Sequence, residues 1–299
     1  MKQSLFLINF QREFQDGYTQ ERAMQFARET GFSGVEAINM AELSVPDLGA
    51  ARRLRGCADA LGLEIPCLSV GIRLERKDWR EQAELLEEYL GVADALGAKL
   101  FHHTLVPTLG MRADEMPRVE EIRGQLIEAC TKVQQRAARY GIRCVYEDQG
   151  YVVNGIRAYE TVYRGLPLEN KGVVADLGNS YFYEETPEAF VAHFLHEIVH
   201  VHVKDYLIKP KGSPFPGSGW YTSRQGTYLR GTVIGHGCTD FVQIFRTLIR
   251  SGYDGWFTLE FDGMEDSFEA AKLGKANMSY YYEEAARQLA CSSEIRIAE

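Results

Sequence analysis

The chain has 299 residues, of which 45% are hydrophobic, and a formal net charge of -9. That length and hydrophobic content suffice for one barrel-sized domain or two smaller ones, and no stretch has the composition of a disordered segment. The acidic balance argues against a nucleic-acid partner held through its phosphates and favours a protein that acts on small molecules.

The N-terminus, "MKQSLFLINFQREFQDG", has an apolar run too short for a signal peptide or a membrane span, with charges close behind it. No other segment reaches the required length, so we expect no membrane association. The six cysteines are scattered without a CxxC spacing, which is typical of reduced thiols in an intracellular protein. We therefore expect a cytoplasmic protein without disulfides.

The feature that recurs along the chain is the transition from an amphipathic helix to a short apolar strand at a glycine, which can adopt the positive φ of a helix C-cap. "ADALGLEIPCLSV", "ADALGAKLFHHTL" and "AARYGIRCVYEDQ" are three copies of it, and "ARETGFSGVEAIN" and "LIRSGYDGWFTLEFDG" are two more. This repetition predicts an α/β protein with parallel strands.

Eight strands are predicted, with helices between them, for example over 80–96 and 117–139. Eight strands in alternation with helices predict a single (β/α)₈ TIM barrel over residues 1–299. A doubly wound open sheet would carry a GxGxxG turn after an early strand, and the sequence has none. The predicted strands are 5–9, 35–39, 66–70, 100–104, 144–147, 173–176, 199–204 and 257–261.

One connection, residues 206–238 after strand seven, is out of proportion to the others. From residue 207 it reads "LIKPKGSPFPGSGWYTSRQGTYLRGTVIGHGC", and it is rich in Gly, Pro, Ser and aromatic residues. Loops of this length inside a compact domain are usually functional lids or are disordered. The interleaved aromatic residues, Trp220 among them, favour a lid that contacts the substrate.

The segment "HEIVHVHVKDY" places His200, His202 and Lys204 on one face of strand seven, because successive side chains of a strand alternate. On an edge strand that face would meet solvent, whereas in a closed barrel it faces the interior. His202 lies near the C-terminal end of the strand, where the active sites of TIM barrels are built.

Carboxylates end the strands around it: Glu147 on strand five, Asp176 on strand six and Glu260 on strand eight. Three carboxylates and one imidazole suit a single hard or borderline divalent ion, and we expect Mn²⁺, with Mg²⁺ or Co²⁺ as alternatives. Without a cation, these carboxylates would raise one another's pKa. Other roles stay open: Asp176 as a helix N-cap, His202 as a hydrogen-bonded core residue and Glu260 as the partner of an arginine.

The order of Glu147, "DLGN", "HVHVKD", "GHGCTDF" and "GYDGWFTLE" resembles the xylose-isomerase-like superfamily of sugar isomerases and epimerases. The similarity runs over nearly the whole chain and is strongest from residue 141 to 263. It implies that Glu147, Asp176, His202 and Glu260 bind one divalent metal. It also implies a carbohydrate substrate, an enediolate stabilised by the metal, Glu147 and Glu260 as the acid/base pair, and a homodimer or homotetramer.

Seven further residues are candidates for substrate contact. Lys204 could polarise a substrate oxygen or form a salt bridge with Glu260 or Asp262, and Glu36 could bind sugar hydroxyls or anchor its loop. His102 and His103 are adjacent on strand four, so they cannot both face inward. The seven candidates are Glu36, His102, His103, Asn179, Lys204, Trp220 and His236.

One departure from the resemblance concerns Asn179, which stands where sugar 3-epimerases usually carry a histidine. Asparagine can hold a hydroxyl but cannot act as an acid near neutral pH, which argues against ordinary ketohexose epimerisation. The long loop after strand seven is closer to that of inosose-dehydratase-like members. The alternative enzyme is therefore a metal-dependent lyase on a keto-sugar or keto-cyclitol, in which His236 or Lys204 serves the leaving group.

Two hypotheses from other classes complete the set. An apurinic-type DNA endonuclease would need several metal ions and a basic surface for DNA, which the net charge of -9 disfavours. A non-catalytic sugar-binding barrel would bind sugar without exchanging its protons with solvent.

Overall fold

Eight parallel strands close into a barrel in the computed structural model, which describes residues 1–109, 116–167 and 169–297. Each strand pairs with the next along the chain, and the last strand closes the barrel between β7 and β1, as predicted. The barrel strands are β1 (Lys2–Phe6), β2 (Gly34–Ile38), β3 (Cys67–Val70), β4 (Leu100–His103), β5 (Arg143–Glu147), β6 (Lys171–Asp176), β7 (Ile198–Val203) and, after three strands of a separate sheet, β11 (Trp256–Leu259).

Helices alternate with the strands, and neighbouring helices pack against one another around the barrel. Within the described residues, no helix is both long and apolar enough to cross a membrane. The helices are α1 (Gln11–Gln15), α2 (Gln20–Thr30), α3 (Leu48–Leu61), α4 (Trp79–Leu96), α5 (Val119–Ala138), α6 (Ile156–Tyr163), α7 (Pro187–Phe194), α8 (Phe241–Arg250) and α9 (Ser267–Ile297).

The glycines predicted to end helices all adopt positive φ. Gly31, Gly62 and Gly97 are the C-caps of α2, α3 and α4, with φ of 87°, 65° and 75°. Gly141 and Gly252, just beyond α5 and α8, have φ of 65° and 79°. Since an L side chain is disfavoured in this region, glycine lets the chain leave each helix and enter the next strand within a few residues.

The prediction for the first strand was wrong by three residues. Strand β1 ends at Phe6 and is followed by a 3₁₀ helix over Leu7–Phe10, where a strand over residues 5–9 was expected. The buried apolar residues of that turn look like a continued strand in sequence. Asn9 nevertheless joins the barrel through its side chain, because Oδ1 accepts from the Phe261 N–H at 2.8 Å and Nδ2 donates to the Leu259 carbonyl at 3.3 Å.

The predicted loop over 206–238 contains a small antiparallel sheet, which we call the lid sheet. Its strands β8 (Asp205–Lys209), β9 (Tyr221–Thr222) and β10 (Tyr228–Thr232) lie in the order β8-β10-β9. Gly231 of β10 lies so close to the chain after β11 that a Cβ atom there would be 1.8 Å from the Asp262 carbonyl oxygen. The lid sheet is thus held against the C-terminal end of the barrel.

The cysteines carry free thiols. Cys67, Cys130 and Cys144 are buried, and Cys238 and Cys291 are exposed. Burial raises the pKa of Cys130 well above its ordinary value and that of Cys144 to about 12, so these two thiols stay protonated within the core.

Candidate active site

Four side chains that the sequence predicted to share a site converge at the C-terminal end of the barrel. Glu147 and Asp176 are the last residues of β5 and β6, His202 is on β7, and Glu260 directly follows β11. One potential ligand atom of each lies within 4.8 Å of the others. The register explains this convergence, because Asp176 pairs with His202 across β6 and β7.

The spacing of these atoms fits a single divalent ion. His202 Nδ1 lies 3.1 Å from Glu147 Oε2 and 3.3 Å from Glu260 Oε2. Adjacent ligands on an octahedral ion with bonds of about 2.1 Å are about 3.0 Å apart, so these separations suit atoms that share one cation. Glu147, Asp176 and His202 are buried, whereas the Glu260 side chain is 13% exposed and faces the opening.

Asp176 has two roles, one for each carboxylate oxygen. Oδ1 accepts from the backbone N–H groups of Gly178 and Asn179 at 2.8 and 2.9 Å, at the start of the 3₁₀ helix Asn179–Tyr183. Oδ2 faces the other candidate ligands. The helix-cap interpretation and the ligand interpretation are therefore compatible, because they use different oxygens.

Lys204 forms the salt bridge with Glu260 that was one of its two predicted roles, with Nζ 2.7 Å from Oε1. Its second carboxylate partner is Asp176, at 2.9 Å from Oδ2, in place of Asp262. With His202 counted as the neutral imidazole that binds a metal, three carboxylates (-3) and one ammonium (+1) leave a formal charge of -2 around the site. One divalent cation would neutralise that charge.

The two carboxyl groups that touch Lys204 differ in acidity. Burial raises the pKa of Asp176 to about 7, with Lys204 opposing and the neighbouring carboxylates Glu260 and Glu147 adding to the effect. Burial also opposes the ionisation of Glu260, but the Lys204 ammonium and the His202 hydrogen bond more than offset it and lower the pKa to about 2. A further positive charge would favour ionisation of Asp176 as well.

Glu36 lies below these four residues and is fully buried. Its carboxylate is 2.7 Å from His200 Nε2, 3.1 Å from His202 Nε2 and 2.5 Å from Ser69 Oγ. Burial opposes ionisation of Glu36, but the two histidines more than offset it and hold the pKa well below its ordinary value. These contacts disfavour the predicted hydrogen bonds to sugar hydroxyls; Glu36 anchors histidine side chains rather than its own loop.

The two adjacent histidines of β4 face opposite ways. His102 faces the barrel interior, where Nε2 is 3.5 Å from Glu147 Oε1 and Nδ1 is 2.8 Å from Ser69 Oγ. The His103 ring packs against Tyr146, with ring centroids 5.3 Å apart, and Nδ1 is 3.1 Å from the Thr104 carbonyl oxygen. The structure therefore brings His102 to the site and leaves His103 outside it, which argues against the predicted substrate contact of His103.

The other predicted contacts are placed unequally. Asn179 is buried beside Asp176, and its Nδ2 has no hydrogen-bond partner among the described residues. Trp220 directly precedes β9 of the lid sheet and is partly exposed, with Lys209 and Arg230 at 5.3 and 5.5 Å from its ring centroid. His236 is exposed, and no hydrogen bond or ion pair joins it to the four candidate ligands in the described part of the chain. Only Asn179 of these three borders the cluster directly.

Residues 24–284 match the sequence model of the xylose isomerase-like TIM barrel family. The chain belongs to this family. The fold and the resemblance noted in the sequence are thereby confirmed.

Curated proteins similar to this chain include a rhizopine catabolism protein and inosose dehydratases. The chain is 27% identical over 278 residues to the rhizopine catabolism protein MocC of Rhizobium meliloti, an alignment that covers 87% of this chain and 79% of that protein. It is 29% identical over 147 residues to the inosose dehydratase of Bacillus licheniformis, where the alignment covers 46% of this chain and 45% of that protein. That second match thus spans less than half the length of either protein.

Solved structures with the same fold include an L-ribulose 3-epimerase, with a TM-score of 0.73 at 18% identity over 97% of both chains. A xylose isomerase-like TIM barrel protein from Mycobacterium smegmatis in complex with magnesium has a TM-score of 0.69 at 16% identity over 88% of both chains. At these identities the likeness establishes the xylose isomerase-like fold alone.

Sequence reasoning missed a second carboxylate site at the opening of this xylose isomerase-like barrel. The hydroxyls of Tyr206 and Tyr221 both donate to the Asp262 carboxylate at 3.2 Å. Tyr221 also lines a cavity of about 910 Å³ beside the lid sheet. Alternation offered a signal, because Asp262 is two residues beyond Glu260 and Tyr206 is two residues beyond Lys204.

Proposed function

We propose that the protein is a divalent-metal-dependent isomerase or epimerase of a sugar or sugar derivative. The observation that carries this proposal is the pair of carboxylates, Glu147 and Glu260, which approach His202 Nδ1 from β5 and from the end of β11. Moving a proton between the two faces of a carbon needs one group to remove it and another to return it. Two carboxylates that reach His202 from different parts of the barrel supply both groups.

The metal in this proposal would be held by Glu147, Asp176, His202 and Glu260. When bound, a divalent ion supplies Lewis acidity toward a ketone oxygen and its neighbouring hydroxyl, which makes the carbon between them more acidic and stabilises the enediolate. Carboxylates and one imidazole favour a hard or borderline ion. We propose Mn²⁺, with Mg²⁺ and Co²⁺ as alternatives; the magnesium complex of the Mycobacterium smegmatis protein supports an ion of this class.

The roles of the protein side chains follow from their surroundings. One glutamate, ionised, accepts the proton from the substrate carbon, and the other, protonated, delivers a proton to the opposite face. Lys204 keeps Glu260 ionised, which favours Glu260 as the acceptor in at least one direction of the reaction. Because Glu260 is the most exposed member of the cluster, it can also exchange its proton with water and reset the pair.

The second candidate is a lyase that removes water from a keto-sugar or keto-cyclitol. It is supported by the names of the curated relatives and by Asn179, which cannot deliver a proton as a histidine would. Both candidates begin with the same proton abstraction. In the lyase, the β-hydroxyl leaves as water, and the Lys204 ammonium is the charged donor placed beside Glu260 to assist it.

The test is the metal content of the purified protein, followed by incubation of the metal-loaded enzyme in D₂O with ketoses, keto-glycosides and inososes. Deuterium at the carbon next to the carbonyl, with no fragment lost from the compound, supports the isomerase or epimerase. Loss of water supports the lyase. Sugar binding without exchange of its protons with solvent would support the non-catalytic sugar-binding barrel. Salt-sensitive DNA binding with several metal ions would support the endonuclease.

The Glu147→Gln variant is the matched control for the deuterium experiment, because it keeps the size of the side chain and removes its basicity. Incorporation that persists in this variant would place the exchange outside the proposed site. The predicted homodimer or homotetramer belongs to the same proposal, and sedimentation of the metal-loaded protein measures it directly.

A further inference from the structure

Ser69 connects the buried Glu36 carboxylate to His102. Its Oγ lies 2.5 Å from Glu36 Oε1 and 2.8 Å from His102 Nδ1, and the register pairs Ser69 with His102 across β3 and β4. A serine hydroxyl has one proton to donate. Since Glu36 receives contacts from two imidazoles as well, it is the acceptor, and Ser69 donates to it. Ser69 must then accept from His102, which requires the proton on Nδ1.

A neutral imidazole protonated at Nδ1 has a lone pair on Nε2. His102 Nε2 is buried and has no hydrogen-bond partner among the described residues. It lies 3.5 Å from Glu147 Oε1, beyond the usual range of about 2.7–3.2 Å for an N–H···O bond. His102 and Glu147 therefore present two acceptors to the same space, an arrangement that a donor between them would stabilise.

The orientation of the His102 ring is fixed by its neighbours. It meets the His202 ring edge to face, with centroids 5.6 Å apart and planes at 88°. Glu36 applies the same control to His202, because its oxygens are 3.1 Å from Nε2 and leave Nδ1 toward the candidate ligands. One buried carboxylate thus sets the proton positions of both histidines, directly for His202 and through Ser69 for His102.

We infer that His102 is a substrate-orienting residue whose Nε2 accepts a hydrogen bond from a hydroxyl of the substrate, with Ser69 and Glu36 as positioning residues. The identity of the ligand as a polyhydroxylated compound rests on the proposed function. The lone pair on Nε2 also specifies which group of that compound it meets. A hydroxyl donates a hydrogen bond to Nε2, whereas a ketone oxygen, an ether oxygen or a phosphate oxygen without a proton would repel it. The His102 side of the site therefore takes a CHOH group and not the carbonyl.

The first test measures the protons directly, in the full-length protein loaded with Mg²⁺ and labelled with ¹⁵N-histidine. Long-range ¹H–¹⁵N correlations distinguish the two tautomers, and the His102→Gln variant assigns the His102 signals by their loss. We expect His102 to carry its proton on Nδ1 in the wild type. In Ser69→Ala, we expect part of the population to carry the proton on Nε2 instead. A proton on Nε2 in the wild type, or no change in Ser69→Ala, would overturn the inference. This result does not depend on turnover.

The second test uses two variants of His102, each of which replaces the hydrogen bond of one ring nitrogen and loses that of the other. His102→Asn retains an amide near Nδ1 for Ser69 but loses the acceptor at Nε2, whereas His102→Gln places an amide oxygen near Nε2 and loses the bond to Ser69. On the panel compound with the fastest deuterium incorporation, we expect His102→Asn to raise KM roughly tenfold. His102→Gln should raise KM less, and both should bind Mg²⁺ as the wild type does.

The opposite order, with KM raised more in His102→Gln than in His102→Asn, would assign His102 a structural role and overturn the inference. An O-methyl analogue of the active compound adds a check, since blocking the bound hydroxyl should cost the wild type about as much as His102→Asn costs and add nothing in the variant. If no panel compound exchanges deuterium, the proposed function fails, while the tautomer measurement still decides the state of His102.

Discussion

The polar interior of the barrel has two layers with opposite hydrogen-bond balances. In the lower layer, both oxygens of Glu36 are engaged by donors, from Ser69, His200 and His202. In the upper layer, the six oxygens of three carboxylates share four donor groups, which are Lys204 Nζ, His202 Nδ1 and the backbone N–H groups of Gly178 and Asn179. Polar groups in a protein interior are nearly always satisfied, so a layer short of donors indicates a place for a ligand. The upper layer consists of Glu147, Asp176, His202, Lys204 and Glu260.

The largest expected effect comes from neutralising the proposed acid/base pair of the upper layer. Glu147→Gln and Glu260→Gln should each lower the deuterium-exchange rate by about 10²- to 10⁴-fold, because proton transfer by a positioned carboxylate is lost. The fold should persist, since glutamine fills the same volume; circular dichroism and thermal melting check this. Wild-type turnover in either variant would remove that residue from the acid/base pair.

Removing the buried carboxylate of the lower layer should instead lower the free energy of unfolding. Glu36→Ala leaves two buried histidines without their acceptor, and breaking such a buried pair typically costs about 3–5 kcal/mol in the free energy of unfolding. Urea unfolding measures the change, with Glu29→Ala on the exposed face of α2 as the control, expected within about 0.5 kcal/mol. Equal effects of the two substitutions would contradict the role of Glu36 as an anchor.

Asp176→Asn separates the two roles of one side chain. The amide oxygen can still accept from Gly178 and Asn179, so the turn should form, but the anionic Oδ2 is lost. We expect weaker metal binding by titration calorimetry and a smaller rise in melting temperature on adding metal. For the wild type, an ion at 100 times its dissociation constant should stabilise the fold by about 2.7 kcal/mol. An unchanged metal affinity in Asp176→Asn would exclude Asp176 from the ligand set.

The smallest expected effect belongs to the lid sheet. Trp220→Ala should raise KM by a few-fold and leave metal affinity unchanged, because Trp220 lies with Lys209 and Arg230 and outside the ligand cluster. Steady-state kinetics on the active panel compound measures it, and Phe215→Ala, another lid aromatic that is 68% exposed, serves as the control. An unchanged KM in Trp220→Ala would remove this residue from substrate binding.

The sequence predicted those features that depend on local periodicity. The alternation in "HVHVK" correctly places His200, His202 and Lys204 on the interior face, and all three are buried. The glycines that end helices were also found, because only their backbone conformation is at issue. Alternation says which way a side chain points and nothing about its depth in the barrel, so the sequence left Glu36 open between contact with substrate and anchoring its loop.

Features that depend on distant partners were missed. The lid sheet consists of short strands whose pairing joins β8 and β10 across more than a dozen intervening residues rich in Gly and Pro. Nothing in the local pattern fixes such a register. The same holds for Ser69, an ordinary strand residue in sequence, whose importance comes from Glu36 and His102 on the two neighbouring strands.

The attachment of the lid sheet has a consequence for how such barrels diversify. Strands β8, β9 and β10 hydrogen-bond to one another, and among the described residues the β-bridge between Gly231 and Gly263 connects them to the segment after β11. The metal-ligand candidates lie on β5, β6 and β7 and directly after β11, outside this insert. The insert is therefore a unit that evolution, or a laboratory chimera, can exchange while the cluster of metal-ligand candidates stays in place, provided that a glycine remains at position 231.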